Sequence, residues 1–165
     1  MMIGDITIIS GGQTGADRAA LDFAIQHGFP HGGWCPRGRL AEDGPIDLQY
    51  QLTETPSRRY DERTRWNIRD SDATVVFSIA AELGGGSALT IELAHELGKP
   101  CLHITRNPGE AASAAGRAAD QLLDFLAEHR VRTLNIAGPR ASQEPEIATF
   151  VHAVLKATLN MCSHK

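Results

Sequence analysis

Ile6-Thr7-Ile8-Ile9-Ser10-Gly11-Gly12-Gln13-Thr14-Gly15-Ala16-Asp17-Arg18-Ala19-Ala20-Leu21-Asp22-Phe23-Ala24 decides the fold. Ile6 to Ile9 is a short β-branched apolar run, which predicts a buried strand. The period then changes. Ala16, Ala19, Ala20, Phe23 and Ala24 recur at helical spacing, with Asp17, Arg18, Asp22 and Gln26 on the other side. Gly28 followed by Pro30 stops that helix. The segment therefore reads strand, glycine turn, helix.

The same grammar returns further along. Ala73 to Ile79 predicts a strand, and Ser87 to Leu97 a helix closed by Gly98-Lys99-Pro100. Cys101 to Thr105 predicts a strand, and Ala111 to about His129 an alanine-rich helix. Thr133 to Ala137 predicts a strand, and Pro145 to Leu159 a helix with Ile147, Phe150, Val151, Val154 and Leu155 on one face. Arg59 to Asp70 is one more helix. Residues 32–44 and 47–56 read as long loops holding one or two short strands. Strands alternating with helices of this length imply an α/β fold. The expectation is one Rossmann-like three-layer sandwich over residues 1–165, a mostly parallel sheet with helices on both faces.

In such sheets ligands bind outside the carboxyl ends of the strands. Those ends deliver residues 10–15, 82–87, 106–109 and 138–142, and this edge clusters glycine with hydroxyl and amide side chains just before helices. Glycine there lets a backbone approach an anion closely, and the free N–H groups of the following helix point at it. Gly11, Gly12, Gln13, Thr14 and Gly15 form the first candidate cradle, although a tight strand-to-helix turn has the same glycine requirement. The spacing is neither G-x-G-x-x-G nor a Walker A loop. Gly84, Gly85, Gly86 and Ser87 form the second, with Thr90 and Glu92 one turn on. Glu92 suits a ribose hydrogen bond, a base or a simple cap. Arg140 after Gly138-Pro139 and Arg37 in Trp34-Cys35-Pro36-Arg37-Gly38 are candidate oxyanion clamps or structural ion pairs. Asp17 is odd beside an anion and suits a cap, a hydroxyl or a ring nitrogen.

Composition narrows the function. A formal charge of −4 argues against a sequence-independent grip on nucleic acid. Arg37, Arg39, Arg58, Arg59, Arg63, Arg65 and Arg69 nevertheless form a local arginine-only basic stretch whose role the sequence leaves open. Cys35, Cys101 and Cys162 are widely spaced, which supports neither a zinc ribbon nor a disulfide framework. The histidines show no metal spacing, and no G-x-S-x-G or nucleophile–base pair is recognisable. No apolar run approaches a membrane span. Met1-Met2-Ile3-Gly4-Asp5 lacks a basic region ahead of an apolar one. The expectation is a cytoplasmic protein that contacts neither nucleic acid nor membrane, with no metal site and no assigned catalytic residue.

Four motifs taken in order resemble the molybdenum cofactor carrier family of the Rossmann-like SLOG superfamily, related to Lonely Guy and lysine-decarboxylase-like proteins. They are Gly11-Gly12-Gln13-Thr14-Gly15-Ala16-Asp17, Trp34-Cys35-Pro36-Arg37-Gly38, the run Arg63 to Thr74, and Leu134-Asn135-Ile136-Ala137-Gly138-Pro139-Arg140. The resemblance covers nearly the whole chain. It implies a cytosolic homo-oligomer that holds the molybdenum cofactor (molybdopterin, a pterin with a phosphate) and protects it or delivers it to molybdoenzymes; a sheet edge and the apolar faces of alanine-rich helices suit a symmetric dimer or tetramer. The superfamily also supplies an alternative. Lonely Guy phosphoribohydrolases carry P-G-G-x-G-T-x-x-E, which Gly85, Gly86 and Glu92 match. Gly84, Ala88 and Leu89 depart from it. Under that alternative the ligand is a nucleoside monophosphate and Glu92 is catalytic. A third possibility is a nucleotide-binding module without catalysis.

Overall fold

The structure is a computed structural model that describes residues 3–111 and 114–163. A 3-10 turn, Ile3–Asp5, precedes β1 (Thr7–Ile9) and α1 (Ala16–His27). Five two-residue strands and two longer loops follow: β2 (His31–Gly32), β3 (Trp34–Cys35), β4 (Leu40–Ala41), β5 (Gly44–Pro45) and β6 (Thr53–Glu54). The rest alternates: α2 (Tyr60–Arg69), β7 (Ala73–Ser78), α3 (Gly85–Glu96), β8 (Cys101–Thr105), α4 (Gly116–Glu128), β9 (Thr133–Ala137) and α5 (Ile147–Ser163).

One five-stranded sheet runs β2-β1-β9-β7-β8, with every pair parallel. Ile8 sits beside Leu134, and Val75 beside Ile136 and Leu102. The chain leaves β1 toward one edge and β7 toward the other. Parallel crossovers are right-handed, so opposite directions of travel place α1 and α3 on opposite faces. The contacts agree. α1, α4 and α5 pack together on one face, and α2 packs on α3 on the other. The expected three-layer, Rossmann-like architecture is what the chain adopts. The sheet changes direction between β1 and β7, and β9 fills that gap, so the crevice at its carboxyl end lies over β9.

The main core lies under α1, α4 and α5. Phe23, Phe77, Phe150, Leu122 and Ile136 are almost wholly buried there, and Phe77 meets Phe150 edge to face with centroids 6.1 Å apart. Each such side chain contributes about 1.5–3 kcal/mol by leaving water. α4 buries Ala118, Ala119, Leu122, Phe125 and Leu126 at helical spacing, whereas β7 is buried at all six positions, as a strand covered on both faces must be.

Several boundaries differ from the sequence-based expectation. α3 begins at Gly85, inside the glycine run rather than at Ser87. α4 begins at Gly116, not at Ala111. Asn107 donates to the Glu110 carboxylate from its backbone N–H (3.2 Å) and Nδ2 (3.0 Å), and that local turn wins over alanine's helix propensity. Ala112 and Ser113 lie outside the described residues. α5 starts two residues after Pro145 and runs past Leu159 to Ser163. The region read as one or two short strands holds β2 to β6. β2 joins the main sheet, β3 pairs with β6, and β4 pairs with β5. Arg39 ties that segment together by donating to the carbonyls of Ile46, Asp47, Tyr50 and Leu52 at 2.8–3.3 Å.

Candidate functional site

A cleft of about 100 Å³, open to solvent, sits over the carboxyl ends of β1 and β9, walled by α2 and α3. Gly11, Gln13 and Asp17 line it from the first glycine loop. Gly86, Ser87 and Thr90 line it from α3, and Asn135, Gly138 and Arg140 from β9 and the loop beyond. α2 adds Tyr60, Asp61, Arg63, Thr64 and Asn67.

The two glycine runs differ sharply in what they offer. In the first, four of the N–H groups are already spent. Gly12 donates to Ser10 Oγ (3.3 Å), Gln13 to Asp17 Oδ2 (3.3 Å), Thr14 to Gln13 Oε1 (3.0 Å) and Ala16 to the Pro139 carbonyl (3.2 Å). Its glycines make room for protein. A Cβ on Gly12 would lie 2.5 Å from Leu52 Cδ1. One on Gly15, at φ +82°, would lie 2.4 Å from the Pro139 carbonyl oxygen. In the second, a Cβ on Gly84, Gly85 or Gly86 would meet nothing within 4 Å. Gly84, the residue before α3, brings no side-chain cap, and the first hydrogen bond of the helix is donated by Ala88 to Gly84 (3.5 Å). The N–H groups of Gly85, Gly86 and Ser87 have no partner among the described residues. They are open donors at the positive end of a helix dipole.

Gln13 adds a further donor. Its Oε1 accepts from the Thr14 and Glu42 N–H groups at 3.0 and 2.8 Å, which fixes the orientation of the amide. Its Nε2 is left buried with no partner, on a residue 4 % exposed that lines the cleft. Buried amide donors are normally satisfied. A ligand acceptor in the cleft would satisfy this one.

Beneath the cleft floor, Arg63 donates to the Gly11 carbonyl (2.8 Å) and to Asp17 Oδ2 (3.3 Å). Gly11 has no Cβ because the Arg63 guanidinium lies where one would stand, 1.9 Å from it. Burial pushes the Asp17 carboxyl above its usual range, while Arg63 and the Gln13 N–H pull it the other way. Glu42 laces the first loop to the last by accepting from the Thr14 hydroxyl and from Ser142 Oγ (2.5 Å) and N–H (3.2 Å). The Ser142 and Thr14 hydroxyls hold its carboxyl below the usual range.

The chain matches the profile of the circularly permutated YpsA SLOG family over residues 8–159. It belongs to that family. A crystal structure described as a "putative molybdenum carrier protein" from Syntrophus aciditrophicus SB is similar over 94 % of this chain and 96 % of its own, at 48 % identity and a TM-score of 0.88. No curated protein matches at a significant level.

Within this SLOG fold the candidate residues separate into two groups. Gly11, Gln13, Asp17, Gly86, Ser87, Thr90, Gly138 and Arg140 meet at the cleft. Gly12, Thr14 and Gly15 do not line it; they build the loop that carries Gln13. Gly84 and Gly85 stand at its edge without lining it. Arg37 is exposed on the loop after β3 and does not reach the cleft, and Glu92 is exposed on α3 away from it. The Arg106–Gly109 loop shares the sheet edge but lies beside β8, where Arg106 pairs with Glu146 at 3.2 Å.

Sequence reasoning gave no role to Arg63, Tyr60, Asn67 or Asn135. The signal for Arg63 and Asn67 was the motif that contains them. Asn67 accepts from the Trp34 N–H (2.7 Å) and donates to the Trp34 carbonyl (2.9 Å), so two of the family motifs clamp each other. Ser78 Oγ also lies 2.8 Å from His103 Nε2. It is no hydrolytic pair: Ser78 is buried, donates its proton to the Ala80 carbonyl (2.5 Å) and does not line the cleft. Among the described residues no group of three or more His, Cys, Asp or Glu could hold a metal, and no helix is long and apolar enough to cross a membrane.

Proposed function

We propose that this protein binds a phosphate-bearing ligand, the molybdenum cofactor, and carries or stores it. The observation that carries the reading is a set of donors on residues that line one cleft: the unpartnered amide of Gln13, the open first turn of α3, and Arg140. Such donors suit a phosphate. The likeness to a structure described as a molybdenum carrier favours this cargo over a nucleotide. The phosphoribohydrolase alternative loses support, because Glu92 stands outside the cleft. The same proposal includes cytoplasmic residence, a homo-oligomer and hand-over to molybdoenzymes.

The test is purification from a host that makes the cofactor. Oxidised-pterin fluorescence and molybdenum should co-purify, and added cofactor should survive longer with the protein than without it. Absence of both pterin and molybdenum, with no gain in cofactor lifetime, overturns the proposal. Light scattering of the same preparation tests the oligomer.

A further inference from the structure

Tyr60 is one of three large hydrophobic side chains described as exposed, at 38 %, and the one that lines the cleft; Ile25 and Leu48 lie elsewhere. It is the first residue of α2. Its hydroxyl has no hydrogen-bond partner among the described residues. Its surroundings are two guanidinium groups, with Arg63 Cζ 5.3 Å and Arg140 Cζ 5.6 Å from the ring centroid.

Those two cations are held very differently. Arg63 is buried and fixed by the Gly11 carbonyl and Asp17. Arg140 is half-exposed, and its one ionic contact, to Glu42, is 4.0 Å long. Arg140 is therefore the group that can leave the ring. Cation–π attraction at an exposed site is weak, whereas a guanidinium paired with a phosphate gains charge-assisted hydrogen bonds. An incoming anion offers Arg140 a better partner than Tyr60 and so uncovers the ring.

We propose that Tyr60 is the stacking platform for a planar heterocycle, so that the cleft selects ligands carrying both a flat ring and a phosphate. This rests on the anion site proposed above and adds its ring-binding half. The unspent donors on Gln13 and α3 account for the phosphate alone, and the lining of the cleft continues past them to Tyr60 on α2. An exposed tyrosine on its wall supplies what a π-system binds.

The probes are guanosine monophosphate, which shares with a pterin the 2-amino-4-oxopyrimidine ring, and ribose 5-phosphate, which keeps the phosphate and lacks the ring. Both are titrated calorimetrically into the wild type, Tyr60→Phe and Tyr60→Leu. The wild type should bind the nucleotide more tightly than the sugar phosphate. Tyr60→Leu should weaken the nucleotide about tenfold, leave the sugar phosphate within about twofold, and be rescued by Tyr60→Phe. Equal wild-type affinity for the two probes, an equal loss of both in Tyr60→Leu, or no loss of either overturns the stacking role and leaves the anion site standing. A wild type that binds neither probe overturns the anion site and the platform together.

Discussion

Replacing Arg63 by methionine removes the guanidinium beneath the cleft. Three donations disappear: to the Gly11 carbonyl (2.8 Å), Asp17 Oδ2 (3.3 Å) and the Tyr60 carbonyl (3.3 Å). The two charged side chains are 10 % and 8 % exposed, so water cannot take the place of the lost partner. Removing one member of a buried pair costs about 3–5 kcal/mol. At roughly 2–4 °C per kcal/mol for a domain of this size, the midpoint of thermal unfolding should fall by about 6–20 °C at neutral pH.

The loss should depend on pH with a definite sign. Burial already raises the Asp17 carboxyl, and Arg63 opposes the shift. Without Arg63 the folded-state pKa rises further, while the unfolded value stays near about 3.9. Between the two values the native protein holds a proton that the unfolded chain has lost, so stability falls as pH rises. The contribution is full below the unfolded pKa and is lost through the folded one. Urea unfolding followed by circular dichroism should therefore show the Arg63→Met penalty shrinking from pH 8 to pH 5. Adding Asp17→Asn removes the buried charge, which should restore much of the stability and flatten the pH dependence. A penalty under about 1 kcal/mol, a penalty equal at both pH values, or a double variant no more stable than Arg63→Met would refute the buried charged pair.

Other expectations are briefer. Gln13→Glu keeps an acceptor for the Thr14 and Glu42 N–H groups but replaces the unpartnered donor with anionic oxygen. Ligand-phosphate affinity should drop by about tenfold or more in calorimetry, and far-ultraviolet dichroism should not change. Gly15→Ala must adopt φ +82° and press a methyl to 2.4 Å from the Pro139 carbonyl oxygen. It should destabilise by more than about 1 kcal/mol in urea titration. Phe150→Ala empties a fully buried position against Phe77 and should cost about 3–5 kcal/mol by the same assay.

The long elements were legible because each carries its own period. β8 and β9 fall on the residues where the apolar runs placed them, and α1 stops at the glycine that marks its end. The two-residue strands were not legible. Two residues have no period, and β3 meets β6 through Trp34↔Thr53 and Cys35↔Glu54, across a long loop. The start of α3 was hidden for a related reason. Gly85 and Gly86 carry no helix propensity, so only their geometry reveals them as its first turn. In the site, Gln13, Ser87 and Arg140 were found because the strand-end rule points to their loops. Arg63 and Tyr60 enter from α2, which follows no strand of the main sheet directly, so that rule could not reach them.

The two glycine runs mark where sequence alone stops. Glycine before a helix admits close approach, and the sequence cannot say what approaches. At Gly11, Gly12 and Gly15 it is protein: a guanidinium, a leucine with an isoleucine, and a backbone carbonyl. At Gly84 to Gly86 nothing in the chain comes near. An N–H can bind a ligand only if it has no partner already, and by that criterion the two candidate cradles differ. The Gly11–Gly15 turn is a rigid mount, locked to residues 138–142 by Glu42 and to α2 by Arg63, and its contribution is to aim one amide donor, Gln13 Nε2. The first turn of α3 keeps N–H groups that have no partner among the described residues. Glycines that hold protein against protein make the first turn stiff, and glycines that meet nothing leave the start of α3 open.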